Sequence, residues 1–441
     1  MRFALPTMFV AAFALAQSGW VRAAQDAARV AQEFYAAESA LREYVLEALE
    51  HNPSIAALAA RHRATLERVP QVQALPDPVL GFAQALRSVE TRVGPQWQTV
   101  SLSQAFPWFG TLDLRGQVAV REAAATYQLY LARQREVIAR VKAAFYDLAY
   151  VDAAIDISEE ERLVLEHYEQ LAQARYATGQ GLQQAVIKTQ AEITKVLDRL
   201  QVLHQQRTSL AARLNTLMTR PPHQGLAPIG HLDIPDVELD LEELYAIGNQ
   251  HRQELQAARE LIERGERSIE LAEKEFWPDF TVGAAFVNVG GRGDLAAGQA
   301  PPPDNGKNVL NLSVGLTIPL RREKYRAGVR EAAEILVAER QTLKSARDEM
   351  EFAIRDQVIR LETLREQVTL FEQVLLPQAQ EALSSTEAAY ETGQLGTLDL
   401  LDSERVLLEV RLMHERHYAD YLVALATMER ALGTAFPRTE E

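Results

Sequence analysis

A chain of 441 residues with 47% hydrophobic and 24% charged residues has the composition of a folded protein, so extensive disorder is excluded. Its formal net charge of -15 leaves no dominant basic surface to neutralise phosphates, which argues against nucleic acid as a partner. The absence of cysteine rules out disulfides, thiolate metal sites, cysteine nucleophiles and a lipid-modified N-terminal cysteine.

At the N-terminus, Arg2 precedes an apolar run from Phe3 to Leu15. Small-residue sites follow at Ala14-Leu15-Ala16 and Val21-Arg22-Ala23. This layout reads as a secretory signal peptide over residues 1–23, with cleavage open between Ala16 and Ala24. The run falls short of the ~20 residues that a bilayer-spanning helix needs. No later stretch approaches one, so a mature membrane protein from this chain would have to span by strands.

The rest of the chain says the same thing twice. Val120-Arg121-Glu122-Ala123 recurs as Val329-Arg330-Glu331-Ala332, in both cases expected to open a long helix. Ala174-Arg175-Tyr176-Ala177-Thr178-Gly179-Gln180 recurs as Ala388-Ala389-Tyr390-Glu391-Thr392-Gly393-Gln394, in both cases breaking a helical run. Such self-similarity dictates architecture before local detail does. The first repeat spans 24–220, a Pro- and Gly-rich linker 221–240, the second repeat 241–435 and a tail 436–441.

In the first repeat a helix is expected from Ser39 to Val69, irregular at Asn52-Pro53 and ended by Pro70. Strands at about 79–88 and 96–105 follow, with Leu80, Phe82 and Leu86 on one face of the first. In the second, Val100 and Leu102 face opposite to Thr99, Ser101 and Ser103. From Gln117 to Thr178 there is neither glycine nor proline, a helix of roughly 90 Å if unbroken. Leu182 to Arg220 then returns antiparallel. The second repeat follows suit. A helix runs from Leu241 to Phe276, strands occupy about 279–289 and 308–318, and helices run from Val329 to Thr392, interrupted at Pro377, and from Thr397 to Leu432.

About ten residues per strand is the span of an outer-membrane strand. Four strands cannot close a barrel, and open edges in lipid would leave backbone groups unpaired at several kcal/mol each. The chain must therefore oligomerise about an axis, and three copies would supply twelve strands. The fold class expected is mainly α with a membrane β-barrel portion, the long helices continuing the cylinder on one side.

With this plan, the two Tyr-x-x-Gly turns, Tyr176/Gly179 and Tyr390/Gly393, and the run from Tyr390 to Asp402, the chain resembles the TolC-like outer membrane factor family. Leu75-Pro76-Asp77-Pro78 and Ser103-Gln104-Ala105-Phe106-Pro107-Trp108-Phe109-Gly110 are similar to its heavy-metal efflux branch. The resemblance implies a homotrimer in the outer membrane of a Gram-negative bacterium, with a trimeric α-barrel in the periplasm and a shared twelve-stranded β-barrel. It implies a passive exit duct without enzymatic activity or cofactor. Its partners would be a periplasmic adaptor (membrane fusion) protein, an inner-membrane pump, proton-driven in the metal branch, and outer-membrane lipid.

Asp399 and Asp402, three apart on a helix, share a face. They match the acidic pair that lines the periplasmic aperture in the family, with Tyr390 as a further gate residue. Three copies would make a ring of carboxylates that attracts cations. The chain departs from the family where Ala185 stands opposite Asp399 in the first repeat, and where Leu395 replaces a gate arginine. Closure is therefore expected to rest on packing more than on ionic links. The tips, with Tyr176, Gly179, Gly181, Leu182, Gly393, Gly396 and Thr397, are the expected adaptor contacts, their glycines permitting tight reversal.

Nine histidines and six methionines are scattered, and the best-placed pair, His414 and His417, lacks further ligands, so no metal site is expected. No phosphate loop or nucleophile–base motif is present. Two readings stay beside the metal-efflux duct. One is a type I secretion or drug-efflux duct, which shares the fold. The other is a soluble periplasmic coiled-coil scaffold.

Overall fold

The computed structural model describes residues 39–436 apart from 231, 233, 236 and 294–297, so the expected signal peptide and residues 437–441 of the tail lie outside the described residues. The chain is mainly helical, and its element order repeats. The first series is α1 (Ser39–His51), α2 (Pro53–Gln73), β1 (Val79–Val89), β2 (Gln96–Phe106), α3 (Thr111–Ala177) and α4 (Gln183–Leu217). The second is α5 (Leu241–His251), α6 (Gln253–Lys274), β3 (Asp279–Val289), β4 (Val309–Thr317), α7 (Arg322–Leu370), a π-helical turn (Phe371–Leu375), α8 (Leu376–Glu391) and α9 (Thr397–Leu432).

Four helix boundaries differ from the sequence expectation, each for a physical reason. Pro70 does not end α2, because it falls in the last turn, where its missing N–H orphans only the carbonyl of exposed Leu66. The Val-Arg-Glu-Ala repeats lie inside α3 and α7, not at their starts. α3 starts upstream of Gln117 and runs through Gly116, where only a glycine leaves room for Gln73: a Cβ there would lie 2.0 Å from Gln73 Nε2. Finally, the helix expected over Leu241–Phe276 is two helices, broken at Arg252, whose ψ of 119° is extended.

The break at Arg252 mirrors the one at Asn52. After each, the carbonyl of the break residue restarts the helical ladder, accepting from Ile55 and Ala56 in one case and from Leu255 and Gln256 in the other. Each break also receives the end of a long helix. Asn52 Nδ2 donates to the Leu217 carbonyl (2.9 Å) and Thr219 Oγ1 to the His51 carbonyl (3.0 Å) at the end of α4. Gln253 Nε2 donates to the Gly433 carbonyl (2.8 Å) at the end of α9. Helix ends otherwise leave orphan carbonyls, and these breaks satisfy some of them. Pro377 acts as expected: it cannot donate to the residue 373 carbonyl, and the preceding turn widens so that Leu376 N–H bonds Phe371.

The chain divides into two compact units that cut across the repeats. One holds the described chain up to Ala60, Gln128–Gln256 and Ser345 onward; the other holds Arg61–Tyr127 and Ala257–Lys344. The first is helical, with a core in which Leu148, Leu214, Leu255, Met350, Ile354 and Met428 are fully buried. A buried ion pair, Lys142 with Glu429, ties α3 to α9 within it.

The second unit carries one antiparallel sheet in the order β1-β2-β3-β4. Its register sorts the side chains by face. Leu80, Leu102, Ala284 and Leu312 form one cross-strand row, and Phe82, Val100, Phe286 and Leu310 the next. On the opposite face, Gly81, Ser101, Ala285 and Asn311 align, as do Val79, Ser103, Gly283 and Ser313. The apolar rows are not covered: Leu80 is 73% and Leu312 82% exposed, and every residue of β4 is exposed. In water such a contiguous apolar face would be an aggregation liability. Among the described residues no helix is long and apolar enough to cross a membrane.

Candidate functional site

Two helical-hairpin tips in the first unit place the residues singled out at Tyr176–Leu182 and Tyr390–Thr397. Both turns are built alike. Thr178 N–H bonds the Ala174 carbonyl, Gly179 that of Tyr176 and Gln180 that of Arg175; Thr392, Gly393 and Gln394 repeat the pattern onto Ala388, Tyr390 and Ala389. Gly179 and Gly393 sit at φ +77° and +76°, the left-handed conformation that ends a helix and that glycine adopts without a Cβ clash. α4 and α9 then restart from the extended residues Leu182 and Gly396.

The two tips differ in what they leave exposed. Tyr176 is half exposed and Leu182 largely so, whereas Tyr390 is 4% exposed and Thr397 is buried. Tyr390 lies beneath the Arg175 guanidinium, 3.8 Å from its ring centroid, and its carbonyl accepts from Arg175 Nη2 at 2.5 Å. The ring packs with Leu165, Tyr168, Val196, Leu200, Leu400 and Leu401 from both hairpins. Tyr390 is thus a buried link between hairpins and does not line a surface. Arg175 was not singled out from sequence. The available signal was its place in the last turn of α3, where a cation suits the helix dipole, opposite Ala389 in the other repeat.

Asp399 and Asp402 share the exposed face of α9. Asp399 Oδ2 accepts from the Gly396 N–H at 3.0 Å and so caps the helix, a role that Ala185 cannot fill in the first tip. Asp402 accepts from Arg405 Nη2 at 2.5 Å on the surface. Leu395 and Leu398 are exposed beside them, and in the first tip Gln180, Gln183 and Lys188 are exposed. The face is therefore exposed but partly neutralised, Asp402 by Arg405, with Asp399 left to solvent and the helix cap.

Deeper between the hairpins lies a pair of carboxyls that sequence reasoning missed. Glu161 on α3 and Glu404 on α9 are each 6% exposed and hydrogen-bonded to one another. Burial pushes Glu161 up to about 9, the hydrogen bond and the charge of Glu404 add to the rise, and Arg199 and Arg411 oppose it. Glu404 is raised too, by burial and then by Glu387, while the hydrogen bond from Glu161 and the charge of Arg411 pull it down. Burial thus favours the protonated form at this pair of carboxyls between α3 and α9. Tyr168 Oη donates to Glu387 Oε1 (2.8 Å) alongside, linking α3 to α8. Their separation of over two hundred positions in the sequence gave no local pattern to find.

His414 and His417 do not converge on a site. His414 Nδ1 is 3.4 Å from Glu415, and His417 packs edge-on against Phe371. Among the described residues no group of three or more His, Cys, Asp or Glu is arranged to hold a metal ion.

Comparisons with known proteins bear on this arrangement. A family model described as outer membrane efflux protein matches residues 44–220 and again 245–434. No curated protein sequence matches. Among solved structures, the outer membrane protein VceC of Vibrio cholerae is 19% identical with a TM-score of 0.74, over 90% of this chain and 97% of that one. CusC, described in the context of folding and transmembrane channel formation, is 16% identical with a TM-score of 0.73, over 92% and 94%. The outer membrane channel MtrE of Neisseria gonorrhoeae, in its open state, is 19% identical with a TM-score of 0.71, over 90% of each chain.

Proposed function

The chain belongs to the outer membrane efflux protein family, and from that premise we propose that three copies close a twelve-stranded barrel and conduct substrate passively out of the cell. Its place is the outer membrane, with a large periplasmic portion. The observation that carries the proposal is the sheet itself. It has two unpaired edges and an uncovered apolar face, and in lipid neither can stand unless neighbouring copies complete the ring. The opposite face, with its Gly, Ser, Ala and Asn rows, suits a water-filled lumen. A soluble scaffold accounts for neither face.

In this reading the two tips form the periplasmic aperture. Asp399 and Asp402 of three copies ring it, while Tyr176, Gly179, Gly181, Leu182, Gly393 and Gly396 meet a periplasmic adaptor that couples the duct to a proton-driven inner-membrane pump; Thr397, expected among these contacts, is buried and bonds Tyr390 instead. The Arg175–Tyr390 contact replaces an ionic latch, since Ala185 and Leu395 offer no charges. Heavy-metal cations are the substrate proposed, from the Pro76-Asp77-Pro78 and Phe106-to-Gly110 segments together with the carboxylate ring. A drug-efflux or type I secretion duct is the second reading, favoured by the fold alone.

Conductance across a planar bilayer tests the aperture. The wild-type channel is expected to be cation-selective, and Asp399→Asn with Asp402→Asn to abolish most of that selectivity while leaving the sheet intact. Unchanged selectivity in the double variant would remove these residues from the aperture.

A further inference from the structure

The apolar face of the sheet closes differently at its two ends. Where the helices attach, Phe106, Phe280 and Leu316 form the last cross-strand row. Beyond it Trp108 stacks on Trp277 with centroids 4.9 Å apart and on Phe280 at 5.4 Å, so this end is aromatic, as membrane interfaces of barrels are. At the far end the same face carries Gln84, Gln98 and Asn288, one row past Phe82, Val100, Phe286 and Leu310. The register of β3 and β4 carries Asn308 to this level too. A carboxamide thus stands at one height on every strand, and all four are exposed.

These amides find little to bind within the chain. Gln84 Nε2 reaches only the Ala85 carbonyl, at 3.4 Å, and Asn308 Oδ1 accepts from the Val289 N–H at 3.0 Å. Among the described residues the side chains of Gln98 and Asn288 make no hydrogen bond. Gln104 is the contrast. It interrupts the apolar face between the two ends, and its Nε2 donates to the Pro76 carbonyl at 2.6 Å and to that of Ala105 at 2.9 Å. An amide facing hydrocarbon needs such partners, because an unpaired one costs several kcal/mol. The far row lacks them, so it must meet polar groups from outside. The height of the face agrees. From Phe280 to Asn288 it rises about 27 Å along β3, or about 20 Å along the membrane normal at a tilt of about 40°. The stacked tryptophans beyond Phe280 complete a band about 25 Å tall. Just past the amide row, half-exposed Trp97 lies in the β2 bulge, where Gly290 leaves room for its indole.

We propose, on the reading of the sheet as membrane-spanning, that this amide row binds the sugar headgroups of glycolipids in the outer leaflet. The leaflet follows from the fold, since the helices at the other end are the periplasmic portion. The headgroup follows from the side chains. A carboxamide offers donors and an acceptor together, as a sugar offers hydroxyls that do both. A phosphate only accepts, and a choline headgroup has no O–H or N–H to give, so a phosphatidylcholine would leave the amide oxygens unpaired. The row holds no charged residue that would select an anion.

Spin-labelled lipids test it on the intact protein in vesicles, because lipids held at a protein surface give a motionally restricted signal. A labelled diglucosyl diacylglycerol is expected to be held about threefold more strongly than a labelled phosphatidylcholine with the same chains. Gln84→Leu, Gln98→Leu and Asn288→Leu together should erase that preference, while the restricted phosphatidylcholine signal persists and reports an inserted protein. Equal restriction of the two lipids in the parent, or a preference that survives the triple substitution, overturns the headgroup site but leaves the barrel standing. No restricted signal from either lipid in the parent overturns the membrane-spanning reading itself. The chain has no cysteine, so spin labels at Gln98→Cys and Val100→Cys read the depth independently. The first is expected to collide mainly with a water-soluble nickel chelate and the second with oxygen. Oxygen at both would bury the row in hydrocarbon and overturn the site, and the chelate at both would again overturn the spanning reading.

Discussion

At the scale of single residues, two positions carry predictions because their surroundings allow no compromise. Gly433 ends α9 at φ +77°, and a Cβ there would lie 2.6 Å from the Arg252 Cα, backbone that cannot rotate away. Gly433→Ala should cost about 1–3 kcal/mol, read as a lower melting temperature, whereas Gly179→Ala, with nothing within 4 Å, should cost only the left-handed strain. The second position is Glu161. Its carboxyl is raised from 4.5 to about 9, so between those values the folded chain holds a proton that the unfolded chain releases. Stability from this pair is fully present below 4.5 and falls as pH rises through about 9. Glu161→Gln keeps a donor toward Glu404 without the ionisation, and should flatten that pH dependence and raise the melting temperature on the alkaline side. An unchanged pH profile would show that the pair does not share a proton.

At the scale of elements, the strands make the sharper claim, since residues one apart should behave oppositely. Leu312 points to the apolar face and Ser313 to the small polar one. Leu312→Lys at mid-strand should destabilise the inserted protein by about 2–4 kcal/mol, and Ser313→Lys by much less, measured by denaturant unfolding in lipid vesicles. Equal costs would mean that neither face meets lipid. The strands were the most legible elements because period-two alternation is a local signal; their boundaries lie within a residue or so of the expectation. The break at Arg252 was not legible. No proline or glycine marks it, and what fixes it is the end of α9, docked from a distant part of the sequence. Tyr176 and Tyr390 show the same limit. Their local sequences match, yet one is exposed and the other buried, because only the second meets the opposite hairpin. Arg175 and the Glu161–Glu404 pair went unnoticed for that reason too.

At the scale of the whole molecule, the duplication explains why one chain presents four strands and two helical hairpins, with both edges of the sheet left unpaired within the chain. The Arg175–Tyr390 contact joins the two hairpins of one copy, so if the tips form the proposed aperture, its opening must move them as a pair or break that link. Arg175→Ala should raise the open fraction of single channels several-fold, with no change in the sheet. The central claim, that the sheet is one third of a closed barrel, is tested most directly by the mass of the protein extracted from outer membranes in detergent, before and after heating. The account predicts an assembly of three copies that resists detergent and falls to single chains on boiling. A stable single chain, or an assembly of two, would leave the edges of β1 and β4 unpaired and contradict it.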